Sequence, residues 1–219
     1  MLKLVIFDLD GTLLNTIGDL ADATNYVLTQ HHHPTHTLDE YNAFIGNGIR
    51  KLIERSVPEE FRTKEYLIGF TLEFLDYYKK HINEKTYPYK DIPLLLSTLQ
   101  DHKLKLAVAS NKFQEGVDFL LKYYFPEIDF AAAVGPGGDI STKPDPKMVN
   151  KILSTVNVSP DETLYLGDSN VDMITARNAG IKPIGVSWGY RMRKELEENG
   201  AWRIIDNPMD FYNLYVKNA

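Results

Sequence analysis

The 219-residue chain is 43% hydrophobic and 25% charged, enough apolar matter for one large domain or two modest ones and too much for a disordered chain. Its formal net charge of -6 argues against nucleic acid or an anionic membrane surface as a partner and makes any phosphate site a local feature. The absence of cysteine excludes disulfides, thiolate metal sites and cysteine nucleophiles, and fits a reducing compartment, by default the cytoplasm.

The opening Met1 to Phe7 is too short for a signal-peptide apolar region, Lys3 and Asp8 interrupt it, and no apolar run is long enough to span a bilayer. Leu2 to Phe7 reads instead as a strand buried on both faces, because parallel strands carry near-continuous apolar runs. Open α/β sheets bind ligands beyond the carboxyl ends of their strands, so Asp8 is expected at an active-site edge. On a regular strand Asp8 and Asp10 would share a face. For the two to act differently on one substrate the backbone must turn at about Leu9 to Gly11, where glycine is permissive.

After Thr12 the pattern turns helical. Leu20, Ala23, Thr24, Val27 and Leu28 share one face, a weaker stretch runs from Leu38 to Phe44, Gly48 to Val57 aligns Ile49, Leu52, Ile53 and Ser56, and Lys64 to His81 aligns Leu67, Phe70, Phe74 and Tyr78. Strand-like runs return at Leu104 to Ala109, Phe130 to Val134, Thr163 to Leu166 and Pro183 to Val186. Helical patterns at Ile92 to Leu99, Val117 to Tyr124, Lys147 to Val156 and Met173 to Ala179 precede them in turn. This alternation predicts an α/β fold: a Rossmann-like parallel sheet with helices on both faces, and a small all-helical domain inserted after the first strand. Pro88 and Pro93 mark the return to the core, so the expected division is 1–15 and 86–219 for the core and 16–85 for the insertion.

The segment Gly167-Asp168-Ser169-Asn170-Val171-Asp172 sits at another strand end and opens a helix, with Asp172 one turn beyond Asp168. If that strand neighbours the first, Asp8, Asp10, Asp168 and Asp172 converge. Two unit charges about 4 Å apart repel by roughly 4 kcal/mol at an effective dielectric of 20, so the cluster needs a cation or a shared proton, and an all-oxygen set favours Mg²⁺. Ser110 and Asn111 end the Leu104 to Ala109 strand, and Lys143 stands in a Ser-Thr-Lys-Pro-Asp-Pro loop before a helix. Lysine offers a phosphoryl group a compact charge; Gly11, Thr12, Ser110 and Asn111 are the candidates for adding hydrogen bonds. The expected partner is a small phosphorylated metabolite.

Taken in order, these motifs resemble the haloacid dehalogenase-like superfamily: Asp8-Leu9-Asp10-Gly11-Thr12 its first motif, Ser110 its second, Lys143 its third, and Gly167 to Asp172 its fourth. The resemblance implies that Asp8 is a nucleophile that becomes an aspartyl-phosphate and that Asp10 protonates the leaving group, then activates water. It implies Mg²⁺ held by the Asp8 side chain, the Asp10 backbone carbonyl and Asp168, with Asp172 a ligand or a support, and Lys143 neutralising Asp8 and the phosphoryl oxygens. Dehalogenases of the superfamily lack an acid at the position of Asp10, so its presence implies phosphate chemistry. Ile45-Gly46-Asn47-Gly48-Ile49-Arg50 and Gly185 to Arg191 resemble the phosphoglycolate phosphatase-like subgroup, which has a helical cap; there Asn47 and Arg50 would face the substrate.

Plainer readings compete. Asp-x-Asp-Gly alone marks turns and calcium loops, but the calcium pattern wants a glycine at Leu13, a glutamate at Asp19 and a preceding helix. The run His31-His32-His33 with His36 reads as a polar helix end rather than a metal site. A Mg²⁺-dependent phosphatase of small, phosphoglycolate-like phosphomonoesters is the leading expectation. A sugar-phosphate mutase would use the same two carboxylates, and a receiver-like phospho-accepting domain would share the acidic strand end without the insertion or the late acidic segment.

Overall fold

A computed structural model describes residues 1–217. The chain opens with β1 (Leu4–Phe7), whose four residues are all buried, then a two-residue strand β2 (Leu14–Asn15). Four helices follow: α1 (Ile17–Gln30), α2 (Leu38–Phe44), α3 (Ile49–Ser56) and α4 (Lys64–Tyr78). The strand β3 (Tyr87–Pro88) leads to α5 (Ile92–Asp101), β4 (Lys105–Ala109), α6 (Gln114–Tyr124), β5 (Phe130–Val134) and α7 (Lys147–Val156). Then come β6 (Thr163–Gly167), α8 (Asn170–Asn178), β7 (Lys182–Val186), α9 (Arg193–Glu198), β8 (Arg203–Ile205) and α10 (Pro208–Tyr215).

Six parallel strands form one sheet in the order β5-β4-β1-β6-β7-β8, an α/β Rossmann-like core. The chain builds outward from β1 through β4 to β5, then returns to build the other half from β6, so β1 lies where the winding reverses. That position brings the carboxyl ends of β4, β1 and β6 side by side, the place where such sheets bind ligands. Alternation along β1 sends Val5 and Phe7 to one layer, with Leu95, Leu99, Val117 and Phe211, and Leu4 and Ile6 to the other, with Met148, Ile152 and Ala176. The apolar runs of the inner strands follow from this: each must satisfy two apolar layers at once.

The helices α1 to α4 pack on one another between β2 and β3. Their ends are tied together twice. Leu14 and Asn15 pair antiparallel with Pro88 and Tyr87, and the buried Asp19 carboxylate accepts the Lys85 N–H at 2.7 Å, the Thr86 N–H at 2.9 Å and the Thr86 hydroxyl at 2.7 Å. A Cβ on Gly18 would stand 2.8 Å from the Lys85 Cβ, so the first turn of α1 approaches the segment before β3 this closely only because residue 18 is a glycine.

Candidate active site

Asp8 is the first residue beyond β1, and its N–H still bonds the Leu166 carbonyl of β6 at 2.9 Å, which holds the residue at the sheet edge. The chain then turns as the sequence predicts. The N–H groups of Leu13 and Leu14 both reach the Leu9 carbonyl at 3.0 Å, and Gly11 takes φ +93°. Glycine is required there twice over, since a Cβ would also lie 2.3 Å from an Asp168 carboxylate oxygen. The turn carries Asp10 out of line with Asp8, so the two carboxylates share a pocket but not their partners.

Lys143 lies beneath Asp8, its side chain 2% exposed. Its ammonium donates to Asp8 Oδ1 and Asp172 Oδ1, both at 2.7 Å, with the Ala109 carbonyl at 3.0 Å and the Tyr165 hydroxyl at 3.2 Å. Asn111 fixes the lysine's backbone, accepting the Lys143 N–H at 2.7 Å. Asp172 has both oxygens engaged: Oδ1 by Lys143 and Tyr165, Oδ2 by the Ser169 N–H at 3.1 Å and hydroxyl at 2.6 Å in the capping box that opens α8. Asp168, by contrast, accepts among the described residues only the Tyr190 N–H at 2.8 Å and the Thr12 hydroxyl at 3.4 Å.

Donor oxygens of Asp8, Asp168 and Asp172 lie within 4.8 Å of one another, all buried. Burial, then the charge of Asp172, pushes the Asp8 carboxyl well above its ordinary range against the pull of Lys143. The same two causes, in the same order, push Asp168 up to about 7. Burial alone would lower the Lys143 ammonium, but Asp172 and Asp8 outweigh it and hold the lysine well above the usual value. One lysine thus serves a cluster carrying an excess of negative charge, and the hard oxygen set beside Asp168, with its few partners, fits a divalent cation.

Asp10 is held from another side. Its Oδ1 accepts the Lys112 ammonium at 2.9 Å and the Thr16 hydroxyl at 2.7 Å, and Lys112 also donates to the Tyr78 hydroxyl at 2.8 Å. Lys112, Thr16, Tyr78 and Tyr190 escape a reading of the sequence. A lone lysine ordinarily belongs on the surface, and the clue was its place directly after Ser110 and Asn111 at a strand end. The Gly185 to Arg191 segment supplies the Tyr190 N–H to Asp168 and, through Trp188 Nε1, a bond to the Thr12 carbonyl at 3.0 Å.

One pocket gathers Asp8, Asp10, Ser110, Asn111, Lys112 and Lys143 under Leu20, Ile45, Ile49, Leu52 and Tyr78 of the helical segment. Gly11 and Thr12 stand behind it, against Asp168. Asn47 and Arg50 line a neighbouring open cavity with Lys51, Asn111 and Thr142. The loop between α2 and α3 is pinned to the core: Arg191 donates to the Asn42 carbonyl and, at 2.6 Å, to that of Ile45, and Asn111 donates to Gly46 at 3.1 Å. In the histidine run, His31 meets Glu73 at 2.9 Å, and both His31 and His33 meet the Tyr66 hydroxyl.

Residues 5–186 match the family described as haloacid dehalogenase-like hydrolase. The chain is 31% identical over 211 residues to a phosphoglycolate phosphatase of Psychrobacter arcticus, covering 94% of this chain and 92% of that one. It is 31% identical over 193 residues to another of Aquifex aeolicus, covering 86% of each. Among solved structures, one from Lactobacillus delbrueckii subsp. bulgaricus superposes with a TM-score of 0.89 at 32% identity, over 95% of this chain and 96% of that one. A predicted phosphoglycolate phosphatase from Haemophilus somnus superposes with a TM-score of 0.90 at 26% identity, over 97% of each chain.

Proposed function

The chain belongs to the haloacid dehalogenase-like hydrolases, and we propose that within them it is a Mg²⁺-dependent phosphatase of small, phosphoglycolate-like phosphomonoesters that works through a phosphorylated Asp8. The observation that carries this reading is two carboxylates in one pocket with different partners: Asp8 on Lys143 at 2.7 Å and Asp10 on Lys112 at 2.9 Å. Environments that separate two carboxylates in this way suit them to separate roles, a nucleophile and an acid-base.

In the first step an Asp8 oxygen attacks phosphorus, the bond from phosphorus to the ester oxygen breaks, and Asp10 gives that leaving oxygen a proton. Asp10, now ionised, takes a proton from water as the water oxygen attacks phosphorus; the bond to Asp8 breaks, and inorganic phosphate leaves. Lys143 holds the attacking carboxylate in one orientation and faces the charge gathering on the phosphoryl group, while Ser110 and Asn111 offer it hydrogen bonds. Asp8, Asp168 and the Asp10 carbonyl would hold Mg²⁺, which when bound would add charge neutralisation at the phosphoryl oxygens. Asp172 fixes Lys143, since both its oxygens are already engaged. Residues 16–85 act as a cap that keeps bulk water from this chemistry, with Asn47 and Arg50 beside the entrance.

Phosphate release from 2-phosphoglycolate tests the reading. It is expected with Mg²⁺ and not with EDTA, and Asp8→Asn is expected to lower kcat by about 10⁴ or more while the protein stays folded. Phosphate appearing one for one with ester consumed separates hydrolysis from a mutase, which would return the phosphoryl group to a substrate hydroxyl. An Asp8→Asn protein as active as the wild type refutes the proposal.

A further inference from the structure

We infer that Lys112 and Tyr78 together bind a carboxylate of the substrate, and so select short phosphomonoesters that carry an acid group beside the leaving oxygen; this rests on the Asp8 phosphatase reading above. Two lysines line the pocket, and only one has donors to spare. Lys143 faces four acceptors with three N–H groups. Lys112, its side chain 2% exposed, meets two acceptors among the described residues, Asp10 Oδ1 and the Tyr78 hydroxyl, which leaves one N–H unspent. The Tyr78 oxygen accepts from Lys112, so its own proton points elsewhere, and no described residue accepts it. The Lys112 nitrogen and the Tyr78 oxygen, bonded to each other at 2.8 Å, therefore each keep one hydrogen without an acceptor among the described residues, at the wall of the pocket.

A buried ammonium hydrogen without an acceptor is costly, and a carboxylate would satisfy both donors with its two oxygens. The apolar part of the wall sharpens the choice. Leu20, Ile45, Ile49 and Leu52 strengthen a charge pair by excluding water, yet give the hydroxyls of a sugar phosphate nothing to bond. Reach sets the length. Lys112 is bonded to Asp10, the group proposed to protonate the leaving oxygen, so an acid group meeting Lys112 belongs close to that oxygen, as in an ester of two or three carbons.

The test compares kcat/KM for 2-phosphoglycolate, its carboxamide and ethyl phosphate, in Mg²⁺, for the wild type, Lys112→Met and Tyr78→Phe. The wild type is expected to prefer the acid to the amide by about a hundredfold, Lys112→Met to shrink that ratio to within about tenfold, and Tyr78→Phe, which keeps the ring, to cut it about tenfold. Equal wild-type rates on acid and amide overturn the inference and leave the phosphatase reading standing; no hydrolysis of any of the three overturns both. A folded Lys112→Met with the wild-type ratio also overturns it. Should that variant not fold, the wild-type comparison and Tyr78→Phe decide, and an unchanged ratio in Tyr78→Phe removes the tyrosine from the site.

Discussion

On the core side of the pocket Lys143, Asp172, Tyr165 and Ser169 spend their donors and acceptors on one another, whereas the side formed by the helical segment offers mostly aliphatic carbon from Leu20, Ile45, Ile49 and Leu52. The two walls respond differently to change. A closed network of buried charges fails when one member is removed, because the others keep their desolvation cost without their partner. An apolar wall changes by about 0.8 kcal/mol per buried methylene and can be reshaped in small steps. One wall is therefore suited to an invariant reaction and the other to a choice among substrates.

The core wall breaks most sharply at Lys143. Lys143→Met keeps most of the volume but leaves Asp8 and Asp172 buried without their cation. Urea unfolding of the metal-free variant is expected to show a loss of about 3–5 kcal/mol. A loss below about 1 kcal/mol would mean that the network is not interlocked.

Protons and Mg²⁺ probe the same wall more gently. Asp168 is raised to about 7 in the fold, above its unfolded value, so its protonated form favours folding. The stability this gives the metal-free protein is complete below the unfolded carboxylate range and is lost as pH rises through about 7; Asp8 shifts in the same direction. Between pH 5 and pH 8 the expected loss is about 2–3 kcal/mol. Mg²⁺ bound as proposed would compete with protons for these oxygens, so it is expected to raise the Tm more at pH 8 than at pH 5. A metal-free Tm that climbs over this range, or a Mg²⁺ effect equal at both pH values, would contradict the charge balance described for the cluster.

The same contrast explains what could be read before the fold was known. The strands β1, β4, β5, β6 and β7 and the helices α1 to α8 announce themselves because burial on two faces, or on one, imposes a regular pattern on sequence. Everything after Val186 is fainter: α9 is nearly all charged with Leu196 its one buried residue, and β8 is a three-residue edge strand that begins at an exposed arginine. The stem formed by β2 and β3 is too short to carry a pattern at all. At the site, Asp8, Asp168 and Lys143 follow from strand ends and motif order. Lys112 and Asp19 do not, since what gives each its role is a partner distant in sequence: Tyr78 for one, Lys85 and Thr86 for the other.

The smallest effect, and the finest test of the apolar wall, lies at Asn47 and Arg50. Both line the cavity next to the Asp8 pocket, and that cavity shares Gly48, Ile49 and Asn111 with it, so a substrate too long for the first would extend into the second. Arg50 is exposed, and substitution there should shift stability by no more than about 0.5 kcal/mol. On the proposed reading, a two-carbon ester held by Asp8 is expected to stay within the first pocket, and a longer phosphomonoester with a second anionic group is expected to meet these side chains. Arg50→Ala and Asn47→Ala are expected to lower kcat/KM for a three-carbon phosphorylated acid by about three- to tenfold, the scale of one exposed charged hydrogen bond, and to leave 2-phosphoglycolate within about twofold. Equal losses on both substrates would mean that these residues act through the shape of the loop between α2 and α3, which Arg191 and Asn111 pin to the core, and the division between a fixed catalytic wall and a selective one would then fail at that loop.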